Sequence, residues 1–223
     1  MGMPGIHIDD IEVPFEVRTL DGFRAWMARS EGRPGRASFF EGEVFLEMNQ
    51  DYRSHEPVST QVNARLTLLA GELGIGRYFT PPSWITWAPV HLSTEPDGFF
   101  ARWESLRSGR LALHPDHANE LVGVPDFVLE IISASSARKD RILLRRGYRE
   151  AGVGEYWVID ARLEDRHPEL GVFVLGPGEY AQVEPDAEGW TASPTFQRAF
   201  RLRRGIDPAG LPEFRLEARA PGR

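Results

Sequence analysis

Cysteine is absent from the 223 residues, which excludes disulfides and thiolate metal sites. Lysine is almost absent: Lys139 is the only one, and the remaining positive side chains are arginine. No apolar run approaches the roughly 20 residues of a membrane span. The first residues, MGMPGIHIDDIEVPFEV, lack the basic start and apolar stretch of a signal peptide, so a soluble cytoplasmic protein is the expectation. No Gly-rich phosphate loop of either standard spacing occurs, which leaves a nucleotide-binding role without support. Internal repeats and low-complexity tracts are also missing. The formal net charge of −7 argues against a surface coated in positive charge, though a local basic patch is compatible with it.

What is present suffices for a core. Hydrophobic residues make up 41% and there are six Trp, so one sizeable domain is expected. The chain is organised around residues 121–160. Val124 to Ile132 is apolar and β-branched except for Asp126 and Glu130, which predicts a strand buried on both faces. Ser135 or Ser136 caps a helix running from about Arg138 to Ala151, and Gly152 ends it. Glu155 to Asp160 is the next buried strand, and the crossover helix makes the two strands a parallel pair. Glu130 is the informative residue. A buried carboxylate is costly unless paired. Glu130 is therefore paired, for instance with an arginine of the following helix, or holds a metal, or the strand is wet at that point.

The other segments read more plainly. Residues 1–17 are expected as a loose arm, and Thr19 to Ala28 as a short helix burying Phe23, Trp26 and Met27. Ala37 to Met48 predicts a hairpin turning at Glu41–Gly42, with Glu43 and Glu47 on the wet face. Val58, Val62, Leu66, Leu69 and Leu73 recur at helical spacing, and Pro57 fixes the helix start near Ser54 or His55. By residue type His55 and Glu56 belong to an exposed cap. One or two strands fall within 78–93, and 107–120 reads as a loop whose His114 and His117 are ordinary loop residues. An antiparallel meander follows residue 165, and 201–223 is expected along the surface. The expected organisation is an N-terminal arm with a short helix over 1–36, an α/β domain over 37–205 and a tail over 206–223. In the domain, strands near 95–101, 124–132 and 155–160 share a mixed sheet flanked by helices.

Four stretches, FFEGEVFLEM, the helix from His55, EPDGFFA, and VPDFVLEIISASSARKD followed by GYREAGVGEYWVID, resemble the Uma-two family of the PD-(D/E)XK nuclease superfamily. The likeness spans roughly residues 38–205. It implies a restriction-endonuclease-like fold and hydrolysis of DNA phosphodiester bonds with Mg (or Mn). Such domains usually cut as homodimers. In the superfamily an Asp at a strand start and a Glu on the neighbouring strand bind the ion, and a lysine helps position water. Asp126 and Glu130 lie on one face of one strand about 13 Å apart, too far for one ion with ligands at about 2 Å. Asp97 is then the partner of Glu130, although by residues alone it is equally a turn residue after Pro96. The Ile131 carbonyl is a third ligand by resemblance, and His55 and Glu43 are auxiliary candidates.

The lysine departs from the family pattern. Ile132 stands two residues after Glu130, and Leu144 stands at the displaced position four after Asp140. Lys139 is about 140° around an α-helix from Leu144 and reaches the site only if the helix starts later. Arg141 and Arg145 are alternative phosphate clamps, but guanidinium does not readily deprotonate water. The alternative function is a degenerate nuclease fold that binds nucleic acid or protein without turnover.

Overall fold

Alternation along Phe127–Ile131 decides the architecture. Phe127, Leu129 and Ile131 enter one apolar cluster, whereas Val128 and Ile132 enter another on the opposite face. A strand buried on both faces needs cover on each side. In the computed structural model, which describes residues 5–8, 11–29, 36–47, 54–133, 136–162 and 168–220, that cover comes from different parts of the chain.

The central sheet has the order β14 (Tyr180–Gln182), β13 (Glu169–Leu175), β12 (Glu155–Asp160), β11 (Phe127–Ile131), β8 (Gly98–Arg102), β5 (Gly76–Phe79). β11 and β12 are parallel, and their neighbours are antiparallel, so the sheet is mixed. A second six-stranded sheet has the order β4 (Glu43–Glu47), β3 (Arg36–Phe40), β7 (Leu92–Thr94), β6 (Trp84–Trp87), β10 (Glu120–Gly123), β9 (Leu111–Leu113). A hairpin of β1 (Gly5–Ile8) and β2 (Ile11–Pro14) and a sheet of β15 (Thr191–Ser193), β16 (Arg198–Ile206) and β17 (Pro212–Arg219) complete the strands. The helices are α1 (Leu20–Arg29), α2 (His55–Leu73), α3 (Trp103–Arg107) and α4 (Arg145–Ala151), the last preceded by a π-turn, Lys139–Leu144. Among the described residues no helix is long and apolar enough to cross a membrane.

α2 buries Val58, Val62, Leu66 and Leu69 against Phe127, Leu129 and Trp157, joined by Phe200, Phe214 and Leu216 of the β16–β17 hairpin. The opposite face carries Phe99, Val128 and Tyr156. These meet Leu144 and Tyr148 of the crossover helix together with Phe40, Ile85 and Leu92 of the second sheet. α1 packs Phe23, Trp26 and Met27 on Phe39 and Trp84.

Several expectations change. The arm over 1–17 contains the β1–β2 hairpin. The loop over 107–120 holds β9 and leads directly into β10, which pairs in parallel with β6. Residues 191–206 leave the meander for a separate sheet, and the expected tail supplies β17, whose Phe214 and Leu216 are buried. These strands are short or rich in Arg and Glu, so pairing rather than an apolar run defines them. Of the two candidate caps, Ser135 lies outside the described residues. Ser136 accepts the Asp140 N–H through its carbonyl at 2.9 Å.

Candidate active site

The β8–β11 register brings two distant acids together. Phe100 faces Phe127, Phe99 faces Val128 and Gly98 faces Leu129. Continuing that register by one residue sets Asp97 opposite Glu130. Opposed residues in an antiparallel pair share a face with Cβ atoms about 5 Å apart. Both acids therefore lie on the face of Phe99 and Val128, and both are buried. The Ile131 N–H donates to Asp97 Oδ2 at 2.6 Å, which ties the start of β8 to the end of β11.

Gly98 makes this approach possible. A Cβ there would sit 2.1 Å from the Tyr78 hydroxyl and 2.7 Å from Asn63 Oδ1. Tyr78 donates to Asn63 Oδ1 at 2.8 Å, and Asn63 Nδ2 donates to the Asp97 carbonyl at 3.1 Å. The Asp-Gly pair thus lets α2 hold the backbone of Asp97 directly.

Charges of both signs surround the pair. Arg36 forms an ion pair with Asp97 Oδ1, and His55 Nε2 lies 3.1 Å from the same oxygen. Burial opposes ionisation of Asp97, but Arg36 and His55 more than offset it and hold the carboxyl well below its usual range. Burial likewise opposes the charged form of His55, yet Asp97 raises its pKa. Glu130 is the counterpart. Burial pushes its pKa well above the usual value, Asp140 and Asp97 add to the rise, and Lys139 opposes it. Tyr148 donates to Glu130 Oε1 at 2.6 Å.

Lys139 is buried. It forms an ion pair with Glu47 and lies 3.1 Å from Asp140 Oδ1. Burial disfavours its charge, but Asp140, Glu47 and Glu130 hold it protonated well above the ordinary lysine range. Burial lifts the Asp140 pKa to about 6 despite this lysine. The π-turn explains how Lys139 gets there. Hydrogen bonds from i to i+5 replace those from i to i+4, so residues five apart come round to the same side. Lys139 and Leu144 are accordingly both buried, where an α-helix would separate them by about 140°. A later helix start is the expected condition for Lys139 to reach the site; the wider turn instead sets it beside Glu47 and Asp140.

Arg36 and Glu47 were not singled out from the sequence. The Glu41–Gly42 turn pairs Phe40 with Glu43 and, counting outward, Arg36 with Glu47. One cross-strand pair thus delivers a cation to Asp97 and an anion to Lys139. Counting from the turn is the signal that would have found both. Glu43 shares the Glu47 face but stands four residues away, about 13 Å, and is exposed. Among the described residues, it is Glu47 rather than Glu43 that joins the cluster.

The family described as "Putative restriction endonuclease", Uma2, matches residues 20–205. The chain belongs to that family. A solved structure with the fold is the "putative nuclease belonging to DUF820 from Anabaena variabilis ATCC 29413". It shares 21% identity at a TM-score of 0.59, over 80% of this chain and 90% of that one. No curated protein matches.

The remaining expected residues of this Uma2 chain separate into three groups. His55 is buried at 1% exposure beside Asp97 rather than lying in an exposed cap. The cap reading fails because the first turn of α2 is covered. Asp126 accepts the Arg102 N–H at 2.8 Å, a structural bond in keeping with its place at the end of the preceding segment. Arg141 pairs with Asp160 at 3.0 Å and Glu169 at 2.8 Å, and Arg145 lies 4.8 Å from the centre of the Phe173 ring. Neither is paired with Glu47, Asp97, Glu130 or Asp140, so the structure does not bring them to the acids.

A second grouping, His114, His117 and Glu120, holds its ligand atoms within 4.8 Å of one another. Its groups already have partners. Glu120 takes Arg24 Nε at 2.6 Å and His117 Nδ1 at 2.5 Å, and His114 Nδ1 accepts the Asp116 and His117 N–H groups at 3.1 and 3.2 Å. It fastens α1 to the second sheet.

Proposed function

We propose that this chain is a divalent-metal-dependent endonuclease that hydrolyses DNA phosphodiester bonds. The observation that carries the reading is the meeting of Asp97 and Glu130 on adjacent strands, with the charge of Lys139 acting on Glu130. The donor chemistry fits a hard cation. Two buried carboxylates and the nearby Ile131 carbonyl offer only oxygen, which suits Mg or Mn better than the softer metals. Asp97, Glu130 and the Ile131 carbonyl would hold the ion. When bound, it polarises a phosphoryl oxygen and lowers the pKa of its water.

The chain's own residues do the rest. Lys139, held charged, orients the attacking water and meets the negative charge that develops on the phosphate. Glu47 and Asp140 keep its ammonium in place. Arg36 and His55 keep Asp97 ionised, ready to act as a ligand. The alternative of a fold without turnover drew its motive from the missing lysine at Ile132 and Leu144. The ion pairs of Lys139 weaken that motive.

Plasmid nicking tests the reading. Cleavage is expected with Mg or Mn, and not with chelator present. Glu130→Gln and Asp97→Asn should each lower it by at least about 100-fold, and Lys139→Met by a similar factor. Metal-dependent cleavage that survives Glu130→Gln would end the assignment. Binding of DNA without cleavage under any of these ions would favour the alternative.

A further inference from the structure

Glu130 has one hydrogen-bond partner among the described residues, and it is not a backbone group. Tyr148, fully buried in α4, donates to Oε1 at 2.6 Å. On the side of the second sheet, near Tyr148, Thr94 Oγ1 lies 2.9 Å from Ser38 Oγ, and all three residues are buried. The helix comes near enough because Gly147 precedes Tyr148. A Cβ at Gly147 would sit 3.1 Å from the Phe40 ring and 3.4 Å from Leu92. Tyr148 also packs its ring against Tyr156 with centroids 5.4 Å apart, which limits its rotation.

We infer that Tyr148 is a positioning residue that sets ion selectivity, by occupying one oxygen of Glu130 so that the carboxylate can grip a cation through the other alone. This rests on the metal-site reading of Asp97 and Glu130. Its chemistry follows from how the two common hard cations differ. Mg accepts single carboxylate oxygens in a tight octahedron, while Ca takes six to eight oxygens and readily accepts both oxygens of one carboxylate. A Glu130 with Oε1 held by a phenol is restricted to the first mode. Removing the phenol oxygen frees the second.

Isothermal titration of the full chain with Mg, Mn and Ca chloride separately tests this without any activity readout. The wild type is expected to bind Mg and Mn in a manner lost in Glu130→Gln. Tyr148→Phe should weaken Mg and Mn by about tenfold or more, as loss of a ligand's supporting bond does. Ca affinity should hold or rise, so the Mg-to-Ca ratio falls. A structural role alone would lower thermal stability and leave that ratio unchanged. An unaltered ratio in folded Tyr148→Phe overturns the inference and leaves the nuclease reading standing. No Glu130-dependent binding in the wild type overturns both. Thr94→Val gives a second route if Tyr148→Phe does not fold. It keeps the phenol but removes the buried hydroxyl near it, and should move the ratio in the same direction by less; an unmoved ratio in that variant also counts against the inference.

Discussion

Lys139 and Leu144 stand five residues apart and share one buried side of their helix, because the turn between them is π. The extra residue of that turn is what carries the ammonium to the acids. Ile142 lies inside the turn at 61% exposure and contributes little to the core. Deleting it should restore an α-helical turn and swing Lys139 by about 100° relative to α4. The surface pairs of Arg141 would be disturbed, at up to about 1 kcal/mol. Lys139 would also leave its pairs with Glu47 and the buried Asp140, so circular dichroism should show a folded protein that melts below the wild type, and nicking is compared at a temperature where the variant is folded. Metal-dependent nicking should drop as far as in Lys139→Met. Full nicking by the deletion variant would show that the π-turn has no part in the chemistry.

Arg36, largely covered, and the buried Asp97 form an ion pair joining β3 to the start of β8. Removing one partner of such a pair leaves a buried charge and costs about 3–5 kcal/mol. Arg36→Met and Asp97→Asn should each lie in that range by urea denaturation. Their combination should cost less than the sum by about 1–3 kcal/mol, since each single change strands the other group. Strict additivity would mean that Arg36 is held mainly by other neighbours, Glu130 among them.

Gly98 has no room for a side chain. Tyr78 and Asn63 occupy the space where a Cβ would go. Gly98→Ala must push both aside and with them the anchor on the Asp97 carbonyl. A destabilisation of about 1–3 kcal/mol is expected. The loss of nicking should exceed what the lost stability explains at a temperature where the variant is fully folded. A variant with unchanged melting and nicking would show that α2 does not set the Asp97 position.

Some of this was written in the chain and some was not. The apolar runs around Glu130 and Trp157 gave the parallel pair, Gly152 marked the end of the crossover helix and Glu41–Gly42 the turn of the β3–β4 hairpin, because burial and positive φ leave strong local signals. Strand length excluded Asp126 as the partner of Glu130, but only the family resemblance favoured Asp97, which by residues alone was equally a turn residue. Long-range closure was not legible. Nothing in KDRILL announces a π-turn, since the same residues suit an α-helix, on which Lys139 reaches the acids only from a later start. His55 looked exposed because a helix start usually is, and only the fold covers it. Arg36 fell just outside the expected hairpin of Ala37 to Met48, although counting from the hairpin turn puts it opposite Glu47. β15 to β17 gave no apolar run, as their outward face is filled with Arg and Glu.

Asp160 at the end of β12 takes Arg162 Nη2 at 2.8 Å and Arg141 Nη2 at 3.0 Å. The bond from Arg162 leads, and together they lower the Asp160 pKa to about 2 from its ordinary 3.8. A carboxyl whose pKa is depressed on folding stabilises the fold above its unfolded value and loses that contribution as pH falls through the folded one. The benefit should therefore be complete above about pH 5 and disappear between about pH 4 and 2. The group is partly open to water, so about 0.5–1 kcal/mol is expected rather than the full linkage value. Asp160→Asn should melt a few degrees below the wild type at pH 7, and the gap should shrink in urea titrations or melts taken down through pH 4 to 3. A gap that stays constant over that acid range would show that the charge of Asp160 is not what fastens the end of the strand.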